Sequence, residues 1–310
     1  LLNPMVFLPN SPTIRNAGSK YGCLSACFVL SPSDTMESIL ATQKKWGMIE
    51  KWGGGIGACF SRLRPRGDAV NSTHGRALGP LGAMRMYGAN AKEITQGAFR
   101  PGAHMATLSV SHPDVIEFIR AKQGVPQDHP LSTYNLSLLI PHAFMDAVVC
   151  DGEWSLVNPR NNEVVRRVRA RELFDQVVDS AWASGDPGLI FIDEVNSRYP
   201  TPQLGTVDAT NPCGEQPILD GESCNLGSID VGKFAPEPWD DPRFKSTAEL
   251  AVRFLDDVVA VNQFPLPELG EMSNRTRRIG LGIMGVADAL VQAGIRYDST
   301  EARAWLNMTL

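Results

Sequence analysis

The sequence predicts an α/β fold, and three observations carry the prediction. Short β-favouring runs, at 24–30, 107–110, Tyr134–Ile140 and 189–192, alternate with helical patterns at 33–52, 79–94 and 170–184. Prolines, serines and asparagines punctuate the changes of period. The bulk composition, 43% hydrophobic and 20% charged, is that of a globular chain with a sizeable core, and 310 residues suit one or two domains. No apolar run approaches the ~18 residues of a membrane span, and no secretory leader is recognisable. A formal net charge of −5 excludes a broad basic field for a nucleic-acid polymer, while a nucleotide monomer needs only a local anion site. Six cysteines in a chain of this length are too sparse for a disulfide framework, so a reducing, cytoplasmic setting (or a host's cytoplasm, for a phage protein) is expected. The chain stops at Leu310 inside a helical pattern and reads as a piece of a longer protein.

Taken in order, Asn10-Ser11-Pro12-Thr13 and Asn16-Ala17-Gly18-Ser19 read as turns ahead of the 24–30 strand, which contains Cys27. Cys23 and Cys27 are spaced Cys-x₃-Cys, but no second ligand pair stands near, so no metal site is expected. Ser33 is a plausible N-cap for a helix running to about Trp52, with Asp34 in its first turn. The run Gly53-Gly54-Gly55-Ile56-Gly57-Ala58 mimics a dinucleotide fingerprint, yet it follows a helix instead of opening one, and that reading is rejected. Ser61-Arg62-Leu63-Arg64-Pro65-Arg66-Gly67 carries three cations and is either a solvated turn or a phosphate contact. A helix at 79–94 leads into the loop 95–105. His104 and His112 lack metal-ligand spacing and read as structural. Pro113 starts a helix over 114–122, and Pro141 opens another after the Tyr134–Ile140 strand. Residues 153–169 read as a polar hairpin turning at Asn161-Asn162, followed by a helix over 170–184 and a buried strand over 189–192. Residues 235–243 form a proline-rich surface loop before a helix at 247–262, a strand within 275–285 and a helix at 287–293.

The most chemically suggestive stretch is Asn211-Pro212-Cys213-Gly214-Glu215-Gln216-Pro217, with a second thiol, Cys224, further on. An amide, a thiol and a carboxylate stand at alternate positions, and in an extended or gently looped segment all three can face one pocket. A carboxylate beside a thiol raises the thiol pKa, which opposes polar nucleophilic catalysis. It suits a thiol that loses a hydrogen atom, with the carboxylate as general base. The bland alternative is a buried, inert cysteine in a proline-rich loop. A thiol–disulfide oxidoreductase is disfavoured because no Cys-x-x-Cys is present.

That string, continued by Glu222-Ser223-Cys224-Asn225-Leu226-Gly227-Ser228, closely resembles the finger loop of ribonucleotide reductases, most of all the adenosylcobalamin-dependent class II enzymes. Tyr199-Pro200-Thr201-Pro202-Gln203-Leu204-Gly205 fits the same family, and 9–30 resembles its first barrel strand. The resemblance spans nearly the whole chain. It implies a ten-stranded α/β barrel, present here as roughly the first half-barrel plus the finger loop, in one incomplete catalytic domain over 1–310. By match to the family, Cys213 is the thiyl radical carrier, Glu215 the general base and Asn211 a substrate-orienting amide. Cys27 and Cys224 are the redox pair, and Ser11, Ala26 and Gly55 contact substrate. Asp34, Arg64 and Arg100 bind a deoxynucleoside triphosphate effector, signalling through 95–105. That loop carries Phe99 and Pro101 where many class II enzymes are more basic. The implied partners are a ribonucleotide substrate, thioredoxin or glutaredoxin as reductant, and a second copy in a homodimer. The alternatives are a class I large subunit, whose radical comes from a separate metal subunit, and a non-catalytic nucleotide-binding fragment.

Overall fold

Strands and helices alternate through the chain in a mixed α/β arrangement, as the sequence predicts. The computed structural model describes residues 5–19, 22–25, 27–95 and 102–310. Ala26 and Arg100 lie outside the described residues. The chain divides into two compact units, Cys27–Glu222 and Leu1–Ala26 with Ser223–Leu310.

In the unit Cys27–Glu222, parallel strands lie in the order Gly188–Phe191, Tyr134–Ile140, His104–Ser109, Gly55–Cys59, Cys27–Val29. Strands covered on both faces need not alternate in polarity, so Tyr134–Ile140 reads as a near-continuous apolar run. The helix Met36–Lys51 returns the chain from Cys27–Val29 to Gly55–Cys59. Its N-cap is Thr35, two residues later than expected, because the Thr35 hydroxyl accepts from Ser38 N–H while Asp34 is engaged elsewhere. Trp46 anchors the helix: its indole N–H donates to Leu30 O at 3.0 Å, and its ring packs on Tyr87, Tyr134 and His104. The strand His104–Ser109 begins three residues earlier than its apolar pattern suggested. His104 enters it fully buried because its ring nitrogens meet Glu50 Oε1 at 2.6 Å and Thr133 Oγ1 at 3.1 Å. His112 is also structural. Its Nδ1 accepts from Asp114 N–H, so Nε2 carries the proton and donates to Leu63 O at 2.8 Å. Burial holds its pKa down, in keeping with that neutral ring. The polar hairpin forms as expected, from Glu153–Val157 and Val164–Arg169, with Asn162 at φ 59° in its turn. The strand expected at 189–192 is Gly188–Phe191; Phe191 is 45% exposed, so this strand is not the buried one foreseen, and Ile192 already opens a short helix.

In the other unit, Leu226–Asp230 pairs antiparallel with Phe7–Pro9 and parallel with Gly280–Met284. The helix Pro242–Val261 lays Ala251 and Leu255 on Phe7, Ile229 and Phe234 to form its core. Asn10-Ser11-Pro12-Thr13 is not a free turn: Ser11–Asn16 is a helix, since proline in the first turn presets φ where no donor is needed. The strand within 275–285 is limited to Gly280–Met284, because Arg275 and Thr276 end the preceding helix and Arg277 terminates it at φ 46°. No helix among the described residues is long and apolar enough to cross a membrane.

Candidate active site

Residues 209–218 form a β-hairpin in which Ala209 pairs with Ile218 and Thr210 with Pro217. Asn211 closes its tip. Asn211 N–H donates to Gln216 O at 3.3 Å, and Gly214 N–H donates to Asn211 O at 3.1 Å. The Asn211 side-chain oxygen accepts from Gln216 N–H at 2.9 Å and from the Thr210 hydroxyl at 3.1 Å. A short amide that bonds its own backbone a few residues on is what holds such a turn. Gly214, at φ 87°, supplies the left-handed residue that reverses the chain. The segment is thus a tight turn and not the extended or gently looped stretch from which a shared face of Asn211, Cys213 and Glu215 was expected. Alternation needs an extended backbone, and here Asn211 is buried while Cys213 and Glu215 are exposed at the tip. The same exposure removes the reading of Cys213 as a packed core thiol.

The hairpin lies on one face of the parallel sheet. Gly57, Met105 and Asn135 are register neighbours on three adjacent strands, so their side-chain directions share that face. Each meets the hairpin. A Cβ on Gly57 would stand 1.7 Å from Thr210 O, so only glycine admits the hairpin backbone there. Asn135 Nδ2 donates to Pro212 O at 2.8 Å. The Met105 methyl lies 3.8 Å from where a Gly214 Cβ would be. One step along, Gly55 is covered by the Pro212 ring, 2.7 Å from an added Cβ. Its register neighbour Cys27 receives the free end of the Asn211 side chain, with Nδ2 3.5 Å from Sγ. Asn211 therefore ties the turn bearing Cys213 and Glu215 to the sulfur of Cys27.

The feet of the hairpin are fixed as firmly as its tip. Arg62 pairs with Asp208 at 2.7 Å, and the Thr107 hydroxyl donates to Asp208 O at 2.8 Å. Asn196 takes both backbone groups of Val207, accepting its N–H at 2.8 Å and donating to its carbonyl at 2.9 Å. On the return strand, Asp220 accepts from Ser31 N–H at 2.6 Å. Sequence reading missed Asn135, Gly57, Thr107 and Asn196. The usable signals were a lone amide at the head of an apolar strand and the last glycine of a run.

Other thiols differ from Cys213. Burial, with Asp208 adding to it, pushes the Cys59 thiol up to about 11, and burial pushes Cys23 up to about 11 as well. Both stay protonated and unreactive near neutral pH. Cys224 is buried in the other unit, as is the neighbouring Ser223, whose hydroxyl meets that of Ser273 at 2.9 Å. Ser11, in that same unit, is exposed at the first position of its short helix.

In the basic turn at 61–67, Arg62 and Arg66 are exposed while Arg64 is largely covered, and each pairs with a carboxylate. Arg62 pairs with Asp208, Arg64 with Asp34 at 2.8 Å, and Arg66 with Glu117 at 3.1 Å. Arg64 also donates from its backbone N–H to Asp34 Oδ1 at 3.0 Å and from Nη1 to Ala69 O at 2.9 Å. Asp34 and Arg64 thus stand together at a cavity of about 410 Å³, which Arg76, Ser72 and the start of the helix Met36–Lys51 also line. The structure brings these two predicted residues into one place and adds Arg76, a second cation the sequence did not single out.

Comparison with known proteins finds a family and several relatives. The family model described as "Ribonucleotide reductase, barrel domain" matches residues 25–310. The chain is 48% identical, over 97% of its length, to the vitamin B12-dependent ribonucleoside-diphosphate reductase of Mycobacterium tuberculosis (strain CDC 1551 / Oshkosh), covering 44% of that protein. It is 45% identical, again over 97% of its length, to the protein of the same name in Thermoplasma acidophilum, covering 39% of it. It is 30% identical over 98% of its length to the ribonucleoside-diphosphate reductase large subunit of Variola virus, covering 43% of it. The chain therefore spans less than half the length of these relatives.

Proposed function

This chain belongs to the ribonucleotide reductase barrel-domain family, and from that premise we propose that its parent protein reduces ribonucleotides to 2′-deoxyribonucleotides by thiyl-radical chemistry. The observation that carries the reading is one arrangement: an exposed Cys213 at the tip of a hairpin whose Asn211 reaches Cys27 Sγ at 3.5 Å. A hydroxide is a poor leaving group from a sugar carbon, and a radical at C3′ makes loss of water from C2′ feasible. The names of the Mycobacterium and Thermoplasma relatives favour adenosylcobalamin as the source of the radical. The exposed Cys213 thiol suits that chemistry, because a hydrogen atom can be taken from it by a group held outside this unit. When bound, adenosylcobalamin supplies a carbon-centred radical by homolysis. No described residue is assigned to its corrin ring.

The residues of this chain then divide the work. Cys213, as a thiyl, takes the 3′-hydrogen of the ribose. Glu215, on the same turn, accepts the 3′-hydroxyl proton. Asn211 holds the turn and orients the substrate, which Ser11, Ala26 and Gly55 also contact. The 2′-hydroxyl leaves as water with a proton from the Cys27–Cys224 dithiol. That pair gives its second hydrogen to C2′ as an atom and its remaining electron to the C3′ carbonyl, whose oxygen takes back the proton from Glu215, and the pair ends as a disulfide. Cys213 returns its hydrogen atom to C3′, and thioredoxin or glutaredoxin reduces the disulfide. The parent is proposed to be a cytoplasmic homodimer, with 1–310 as an incomplete part of its catalytic barrel.

The test is deoxynucleotide formation by the full-length parent with and without added adenosylcobalamin. Turnover that needs the cobalamin supports the reading. Turnover that needs a separate metal subunit instead assigns the parent to class I, and no turnover under either condition leaves nucleotide binding as its role.

Two expected results belong with it. One turnover without external reductant should leave a Cys27–Cys224 disulfide, found by peptide mapping after alkylation. Both thiols still alkylatable after product has formed would refute the pairing. The cavity at Asp34 and Arg64 is proposed to take a deoxynucleoside triphosphate effector, with Arg100 reading its base through the 95–105 loop. Each of the four effectors should then shift the parent's substrate preference, and Arg64→Ala should flatten that response without lowering basal turnover more than a few-fold. A preference indifferent to effector would reject the site.

A further inference from the structure

We infer that Asn135 is a positioning residue for Cys213. The inference rests on the radical role proposed for that thiol. Asn135 is the second residue of the Tyr134–Ile140 strand and the exposed position in an otherwise buried run. A polar side chain there has no packing duty to the core. Its amide nitrogen instead donates to Pro212 O at 2.8 Å. Pro212 O belongs to the peptide that joins Pro212 to Cys213, so the bond fixes the plane from which the Cys213 side chain departs.

The bonds that close the turn flank that peptide on either side. Asn211 engages Gln216 and Thr210 on one side of the tip, and Gly214 N–H bonds back to Asn211 O on the other. The Pro212 ring rests on Gly55 through van der Waals contact, which resists approach but does not set rotation about the chain. Rotation of the 212–213 peptide would swing Cys213 Sγ relative to Glu215 and to Cys27 while the hairpin ladder stayed intact. Asn135 opposes this swing with a directional bond to Pro212 O. Hydrogen abstraction depends on reach and alignment, and a displacement of about 1 Å at a reacting group costs on the order of 10²-fold in rate. The effect should therefore fall on the chemical step, with substrate affinity and folding spared.

The variants are Asn135→Leu, which keeps the shape and removes the donor, and Asn135→Asp, which turns a carboxylate oxygen toward Pro212 O. Both are made in the full-length parent, beside Cys213→Ser. Three quantities are read: kcat against KM, the melting temperature, and the rate at which Cys213 is alkylated by a small reagent without cofactor or nucleotide, with peptide mapping to separate it from exposed Cys150. For each folded variant we expect kcat to fall about 10- to 100-fold, KM to stay within about twofold, melting to move by no more than a few degrees, and Cys213 alkylation to rise severalfold as the tether is lost. Turnover within about twofold of the parent's in a folded variant overturns the inference. So does a fall in kcat matched by a large fall in melting temperature with Cys213 alkylation unchanged, since that is a purely structural role. If Cys213→Ser retains turnover, the radical reading itself fails, and the alkylation rate still decides whether Asn135 orients the thiol.

Discussion

Cys213→Ser in the full-length parent is expected to abolish deoxynucleotide formation while leaving the fold and nucleotide affinity in place. An O–H bond is markedly stronger than an S–H bond, so a radical equivalent delivered to this position cannot pass through serine at a useful rate. The effect on stability should be small. Cys213 is exposed at a hairpin tip, and surface substitutions of near-equal volume usually stay within ~0.5 kcal/mol. The turn does not need the thiol for its closure, because the Asn211 amide and Gly214 N–H hold it. Nucleotide affinity should persist, since the cavity at Asp34 and Arg64 does not include the hairpin. The measurement is product formation, melting and nucleotide binding on one preparation. Loss of product with the other two retained supports the assignment, and appreciable residual turnover ends it. The contrast with Cys59 is an internal control. That thiol is buried and raised to about 11, so Cys59→Ser should register in stability and leave radical transfer intact.

The parts of this molecule legible in the sequence are those whose cause is local. Tyr134–Ile140 and Ala170–Ser184 were bounded correctly because their side-chain periods change within the segment itself. The role of the Asn211–Gln216 stretch was legible because residue types at fixed spacing carry the chemistry. What was misread depended on a partner distant in sequence. His104 fell within the loop expected at 95–105, and its bond to Glu50 lets it open a strand buried. Ser33 looked like the helix cap, but Asp34 is drawn off by Arg64, and Thr35 caps instead. The basic turn at 61–67 stayed open between a solvated turn and a phosphate contact, because its three carboxylate partners sit at 34, 117 and 208. The alternation at Asn211, Cys213 and Glu215 failed for a local reason that was nevertheless available: Gly214 lies inside the motif, and a left-handed glycine breaks the period of an extended strand.

Gly57→Ala should be the most damaging single-methyl change in the unit Cys27–Glu222. Most added methyl groups in a parallel strand meet side chains that can rotate away. Here the new Cβ would stand 1.7 Å from Thr210 O and 2.8 Å from Thr210 C, both backbone atoms. Ordinary carbon contacts lie near ~3.5–4.0 Å, so the hairpin backbone would have to retreat by roughly 1.5–2 Å. It is poorly placed to do so. Asp208, two residues before Thr210, is held by Arg62 and Thr107, and Asp220, two residues past Ile218, is held by Ser31 N–H. Either those tethers break or the sheet opens between Gly57 and Met105, whose Cβ would itself be 3.4 Å away. Overpacking of this kind costs about 1–3 kcal/mol or more, and a shift of ~1 Å at Cys213 alone costs on the order of 10²-fold in rate. Gly55→Ala should be milder, because its 2.7 Å neighbour is the Cγ of the Pro212 ring and not a backbone atom of the hairpin. The check is a paired comparison in the full-length parent. Melting temperature and turnover are measured for both variants, together with hydrogen exchange across 209–218, which should accelerate in Gly57→Ala. Parent-like melting and turnover in Gly57→Ala would mean that the hairpin does not rest on this strand, and the seating of Cys213 over Gly57, Met105 and Asn135 would have to be abandoned.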